Sequence, residues 1–380
     1  MIIPKTLFLV SSTIKSEYMV VYKKKVFGGI FMDVRPMIAR AFSMKATDVH
    51  LTTGKVPYFR IDGELLPQEN LGVVDGESII ASVKDILEEN GKSFDPKKKE
   101  IDFSFTVAGN IRVRGNFYYE RGNPTLALRL IPRKIRSIEE LSLPEILKDV
   151  ADQEYGLILV AGPTGSGKST TIAAMIDFLN AKYPYHIITI EDPIEYIFES
   201  KKSLVHQREL EKDTDSFVDG LKYALRQDPD VILVGEMRDL DTMSLALTAA
   251  ETGHIVFATV HTNSAATAPE RIIDVFPAHQ QRQVTLQLAN TLRAVLYQRL
   301  LPKKGGGMIA IIEIMIGTAG VSNLIREGKL HQLDSLIQTG AKHGMIHFDD
   351  AIINAYRKGL ITRETALDYA RNPEEVARKL

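Results

Sequence analysis

The chain of 380 residues contains no cysteine and no tryptophan. Without thiols it cannot form disulfides, bind zinc through cysteine or run thiol catalysis. It also lacks an excess of charge of either sign. With 47 Lys and Arg against 48 Asp and Glu, the formal charge is −1, and the pI is about 6.8. Such a balance gives no global footprint for nucleic acid and argues against a stable nucleic-acid partner. No apolar run approaches the roughly twenty residues of a membrane-spanning helix, so direct membrane insertion is not expected. The nearest run is TLFLVSSTI (6–14) after Lys5, which has the outline of a short signal core but no convincing cleavage site. Met32 offers an alternative start, which would leave residues 1–31 as an N-terminal extension of uncertain role.

What is present describes an ordinary globular protein, 44% hydrophobic and 25% charged, long enough for two cores. Residues 32–135 read as short strands, DVHLTT, YFRIDGEL, FSFTV, IRVRGNFYYER and TLALRLIP, interrupted by one helical stretch, GESIIASVKDILEEN. This pattern predicts a small α+β domain. The segment PRKIRSIEELSLPEIL (132–147) is charged and proline-punctuated, and a linker is expected over 136–155. From 156 to 300 the rhythm changes to apolar strand, turn and amphipathic helix. YGLILVA, HIITI, VILVG and HIVFATV are the strands, and they predict a largely parallel sheet covered on both faces. Residues 301–380 are expected to be mostly helical. In parallel sheets ligands bind outside the carboxyl ends of the strands, which makes strand-end residues the ones to read closely.

Gly162, Pro163, Thr164, Gly165, Ser166, Gly167, Lys168, Ser169 and Thr170 match G-x-x-x-x-G-K-[ST] between a predicted strand and a predicted helix. Glycines let such a loop curl so that backbone N–H groups face phosphate oxygens, aided by the helix N-terminus. Lys168 is expected at the β and γ phosphates, and the Ser169 hydroxyl at Mg²⁺. The next strand ends in ITIEDPIE, which crowds Glu191, Asp192 and Glu195 together. Alone this would be a solvated turn. Beside a phosphate site, a carboxylate there can orient attacking water. DPDVILVGEMRD ends in Glu236, a candidate for Mg²⁺ through water or for pairing with Arg238. His254 precedes the following strand and His261 follows it. An odd separation on an extended chain turns them to opposite faces, so a shared metal is not expected, and His261 is the better candidate for the γ phosphate.

In order and wording, GPTGSGKSTT, ITIEDPIE, DPDVILVGEMRD and TGHIVFATVHT resemble the Walker A, Asp box, Walker B and His box of the type II/IV secretion ATPase superfamily. Within it the chain is most similar to the type IV pilus retraction ATPases, supported by ATDVHL, by SLIQTGAKHGM, and by the absence of cysteines for a zinc module. The resemblance implies a RecA-like P-loop core behind a PAS-like N-terminal domain, assembled as a homohexamer that hydrolyses ATP with Mg²⁺. It implies work at an inner-membrane pilus platform protein, from the cytoplasmic side, driving pilus retraction and twitching. Pilus extension, type II secretion or nucleic-acid translocation are the alternatives. It further implies Glu195 as catalytic carboxylate, Glu236 as metal attendant, and arginines of the N-terminal strands, among Arg112, Arg114, Arg121 and Arg129, as nucleotide contacts. One departure stands out. The family's C-terminal helix reads approximately AIRNLIRE, whereas Gly320, Val321 and Ser322 occupy its first half here.

Overall fold

The computed structural model describes residues 23–26, 29–61, 63–95, 97–107, 111–131 and 135–380. The apolar run at 6–14 and most of the expected extension lie outside them. The chain divides into two compact units, Met1–Arg133 and Lys134–Leu380.

In the first unit, β1 (Lys23–Val26) and β2 (Gly29–Met32) pair antiparallel. There follow α1 (Val34–Ser43), β3 (Asp48–Thr52), β4 (Tyr58–Ile61), β5 (Glu64–Pro67), α2 (Gly76–Glu89), β6 (Glu100–Val107), β7 (Ile111–Glu120) and β8 (Asn123–Ile131). The strands β3–β8 form one antiparallel sheet in the order β5-β4-β3-β8-β7-β6. Period-2 alternation on β7 sends Ile111, Val113 and Phe117 into the core shared with α1 and α2. Gly115 continues that row because a Cβ there would stand 2.5 Å from the ring of Phe103 on β6. Asp75 caps α2 by accepting from the Ser78 N–H at 2.7 Å. This is the small α+β domain expected from the strand pattern.

The second unit contains α3 (Ile146–Ala151), β9 (Gly156–Ala161), α4 (Lys168–Lys182), β10 (His186–Glu191), β11 (Leu204–Glu209), α5 (Phe217–Ala224), β12 (Val231–Val234), α6 (Leu240–Glu251), β13 (Ile255–Val260), α7 (Ala268–Val275) and α8 (Ala278–Thr291). The hairpin β14 (Leu292–Pro302) and β15 (Met308–Ile316) comes next. Helices α9 (Ala319–Arg326), α10 (Leu333–Thr339), α11 (Phe348–Arg357), α12 (Arg363–Tyr369) and α13 (Pro373–Lys379) finish the chain. One seven-stranded sheet runs β11-β10-β12-β13-β9-β14-β15, parallel except for β15. Every residue of β9, β12 and β13 is buried. On β9, Leu157, Leu159 and Ala161 enter the core shared with α5, α6 and α8, while Ile158 and Val160 enter the core shared with α3 and α4. A sheet covered on both faces explains the near-continuous apolar runs.

Two expectations are corrected. The segment expected as a linker is packed into the second unit, with Ile138, Leu143, Leu147 and Val150 in the core beneath α4. Its prolines and charges mask that apolar spacing. The expected start of a mostly helical region at 301 falls inside β14, and β15 closes one edge of the core sheet. The run MIAIIEIMI is continuous apolar sequence, which periodicity alone cannot assign. In the departing helix α9, Val321 is buried and Gly320 is exposed.

Candidate nucleotide site

Four neighbouring parallel strands, β10, β12, β13 and β9, end along one edge of the sheet, and each is followed by one of the four motifs. After β9, Gly162, Gly165 and Gly167 take positive φ of 142°, 76° and 85°. A Cβ on Gly162 would lie 2.4 Å from the Gln298 carbonyl oxygen, and one on Gly167 would lie 2.8 Å from its side-chain nitrogen. The loop therefore curls tightly against β14 and opens α4 at Lys168. The Lys168 ammonium arches over it, donating to the carbonyls of Gly162 (2.8 Å) and Pro163 (3.0 Å). Burial pushes this amine below its usual range, against the carboxylates of Glu236 and Glu195. The Ser166 hydroxyl is buried with no hydrogen-bond partner among the described residues.

The buried Gln298 has no counterpart in the sequence reading. Its amide donates to the Ser166 carbonyl (2.7 Å) and accepts from the Thr171 hydroxyl (2.7 Å), bracing both ends of the loop. Register explains its place, since Tyr297 pairs with Ala161 and Gln298 falls just beyond the end of β9. A lone glutamine in an apolar strand was the only signal.

The carboxylates after β10 are unequal. Glu191 is buried and accepts from the Thr189 hydroxyl (2.6 Å), the Gln207 amide (3.2 Å) and the Glu195 backbone N–H (3.5 Å). Burial pushes its carboxyl up to about 7, with those hydrogen bonds opposing. Asp192 and Glu195 lie in the loop beyond the strand, and Glu195 is exposed. Tyr196, the next residue, shares a 2.8 Å hydrogen bond with Thr170 on α4. The strand thus ends in three carboxylates of which one, Glu191, is a buried bracket, while Asp192 and Glu195 are exposed at the phosphate edge.

Past β12, Gly235 is required by close approach. A Cβ would lie 3.1 Å from the Ile190 carbonyl oxygen and 3.2 Å from the Glu191 Cα. Glu236 Oε1 accepts from Arg238 Nε at 2.6 Å and stands 3.2 Å from His261 Nε2. His261 is therefore at the site. His254 is not. At the amino end of β13 its ring lies 3.0 Å from the Ala249 carbonyl oxygen and 3.2 Å from the Thr252 hydroxyl, which is a packing role. The acid at the end of GEMRD, Asp239, caps α6 through the Thr242 N–H at 2.8 Å.

Of the four arginines, Arg112, Arg114 and Arg129 sit on the face of the first unit's sheet opposite its core, and Arg121 lies at the tip of the β7–β8 turn with φ of 51°. Arg129 Nε pairs with Asp48 (3.0 Å), Arg121 with Glu120 (3.1 Å), and Arg112 donates to Ser104 (2.7 Å).

The residues present fit a nucleoside triphosphate and Mg²⁺. The loop has no room for side chains at two glycines, an orphan hydroxyl sits within it, and a helix N-terminus follows. Ser169 and Glu236 offer the oxygen donors that Mg²⁺ takes.

The family model for type II/IV secretion system proteins matches residues 24–337. Over 343 residues the chain is 47% identical to the type IV pilus retraction ATPase PilT of Pseudomonas aeruginosa, covering 90% of this chain and 99% of that one. It is 45% identical to a twitching motility protein of Neisseria gonorrhoeae, covering 84% of this chain and 86% of that one. Among solved structures, the pilus retraction motor PilT with bound ADP aligns with a TM-score of 0.82 at 44% identity, covering 91% of this chain and 99% of that one. With the family model matched over residues 24–337 and a relative 47% identical over 90% of its length, the chain belongs to the type II/IV secretion system protein family.

Proposed function

We propose that this chain is the ATP-hydrolysing subunit of a ring motor that retracts type IV pili. The observation that carries the reading is the meeting of Lys168, Glu195, Glu236 and His261 at one sheet edge, in a chain similar over 84–90% of its length to proteins named for retraction and twitching. Backbone N–H groups of residues 163–169 bind the phosphates, and the Lys168 ammonium turns from loop carbonyls to the β and γ oxygens. Ser169 and Glu236 would hold Mg²⁺, which would supply neutralisation of the phosphate charge. Glu195 orients the attacking water and takes its proton. His261, 3.2 Å from Glu236, senses the γ phosphate. Arginines among Arg112, Arg114, Arg121 and Arg129 contribute charge to the nucleotide of a neighbouring copy, which a closed head-to-tail hexamer would allow. The partner is a pilus platform protein at the inner membrane. Among the described residues no helix is long and apolar enough to cross a membrane, so attachment there would run through that partner.

The test compares cells lacking the chain with cells carrying only the Glu195→Gln form. Excess surface pili and lost twitching in both, with ATP binding retained by the purified variant, are expected. Bald cells would instead indicate extension, and unchanged pili would overturn the pilus reading altogether.

A further inference from the structure

Glu313 lies on β15 with none of its side chain exposed, and none of the four motifs gives it a role. Its carboxylate takes the fork of Arg371, at 2.5 Å from Nη1 to Oε1 and 3.0 Å from Nη2 to Oε2. The same Oε2 accepts the backbone N–H of Ala265 at 2.6 Å. Arg371 Nη2 also donates to the Asn263 carbonyl at 3.2 Å. Arg371 sits in the turn between α12 and α13, its guanidinium over the rings of Tyr297 and Phe348 at 5.2 and 5.0 Å. Its own N–H and that of Asn372 donate to Asp349 at 2.8 and 2.9 Å.

Glu313, Asp334 and His347 place ligand atoms within 4.8 Å of one another, a spacing that could suit a cation. Here the guanidinium already lies on both oxygens of Glu313 and 3.8 Å from Asp334, so the cluster is an ion-pair network. Such a pair is a poor device for stability, because desolvation offsets its attraction and apolar residues of similar volume pack as well. What apolar residues could not supply are the two hydrogen bonds to backbone at 263 and 265. Those positions come two and four residues after His261. On the other side of the histidine, the Thr259 hydroxyl donates to the Gly235 carbonyl at 2.5 Å. The loop carrying His261 is thus pinned to β12 before the imidazole and to the Glu313–Arg371 pair after it.

We infer that Arg371, acting through Glu313, is a positioning residue for His261, and makes the nucleotide site depend on the seating of the C-terminal helices α12 and α13. This rests on the proposed ATPase reading. Arginine is needed because its planar fork reaches the carboxylate and the Asn263 carbonyl together, which a lysine cannot.

The test uses the full chain with Glu313→Leu and Arg371→Met combined, which removes both charges and keeps volume. Arg371→Lys provides a second variant should the first fail to fold. Steady-state hydrolysis, binding of a fluorescent ATP analogue and thermal melting are measured for each, with and without His261→Ala. The expected result is a folded variant whose kcat falls about tenfold, with KM and analogue affinity within about twofold of wild type. In that background His261→Ala should add no further loss, whereas in the wild-type background it costs about the same tenfold. A folded pair variant with wild-type kcat, or a His261 effect that adds in full, would overturn the inference while leaving the ATPase reading intact. A wild-type chain without ATP turnover would overturn both.

Discussion

Thr170 and Tyr196 share a hydrogen bond of 2.8 Å that ties the first turn of α4 to the loop carrying Glu195. It links α4 directly to the residue next to the proposed water-orienting carboxylate. A double-mutant cycle with Thr170→Val and Tyr196→Phe should give a coupling of about 1 kcal/mol in stability. Turnover should fall further than stability does, because the freed loop lets Glu195 wander. Independent, additive effects on kcat would show that the bond does not position Glu195.

Glu191 makes stability depend on pH. Its folded carboxyl lies at about 7, above the ordinary 4.5, so the folded state holds the proton more tightly than the unfolded chain. The stability this contributes is complete below about pH 4.5 and is lost as pH rises through 7. Glu191→Gln fixes the neutral form and should remove that slope, leaving the variant about 2–3 kcal/mol more stable relative to wild type at pH 8 than at pH 4.5. Chemical denaturation at the two pH values measures this, and parallel curves would contradict it.

Gln298→Ala should loosen the phosphate loop. It leaves the Ser166 carbonyl and the Thr171 hydroxyl without their partner, at about 2–4 kcal/mol. A melting temperature lower by roughly 5–10 °C is expected for a unit of this size. Affinity for MgATP should drop about tenfold, read by calorimetric titration. Unchanged affinity with the melting loss present would make Gln298 a packing residue only.

The phosphate loop was legible in the sequence because its chemistry depends on fixed local spacing between a strand and a helix. Glu195, Glu236 and His261 were legible because a parallel sheet brings the carboxyl ends of its strands to one edge, whatever lies between them. Gln298 and Arg371 were not, since they meet their partners across 132 and 58 residues and no local pattern marks such a meeting. His254 shows the opposite limit, for it shares a motif with His261 yet sits at the other end of β13. Linker and hairpin were misread for related reasons. Prolines hid a packed segment, and an uninterrupted apolar run carries no period to separate strand from helix.

The hairpin of β14 and β15 pairs Tyr297 with Glu313 and Gln298 with Ile312, so the two braces, Gln298 and Glu313, stand almost back to back on opposite faces of one ribbon. One holds the phosphate loop and the other holds the loop of His261. Any displacement of this ribbon therefore acts as a single throw on both jaws of the nucleotide site. On the proposed reading, the phosphate loop and the loop of His261 would then shift as one.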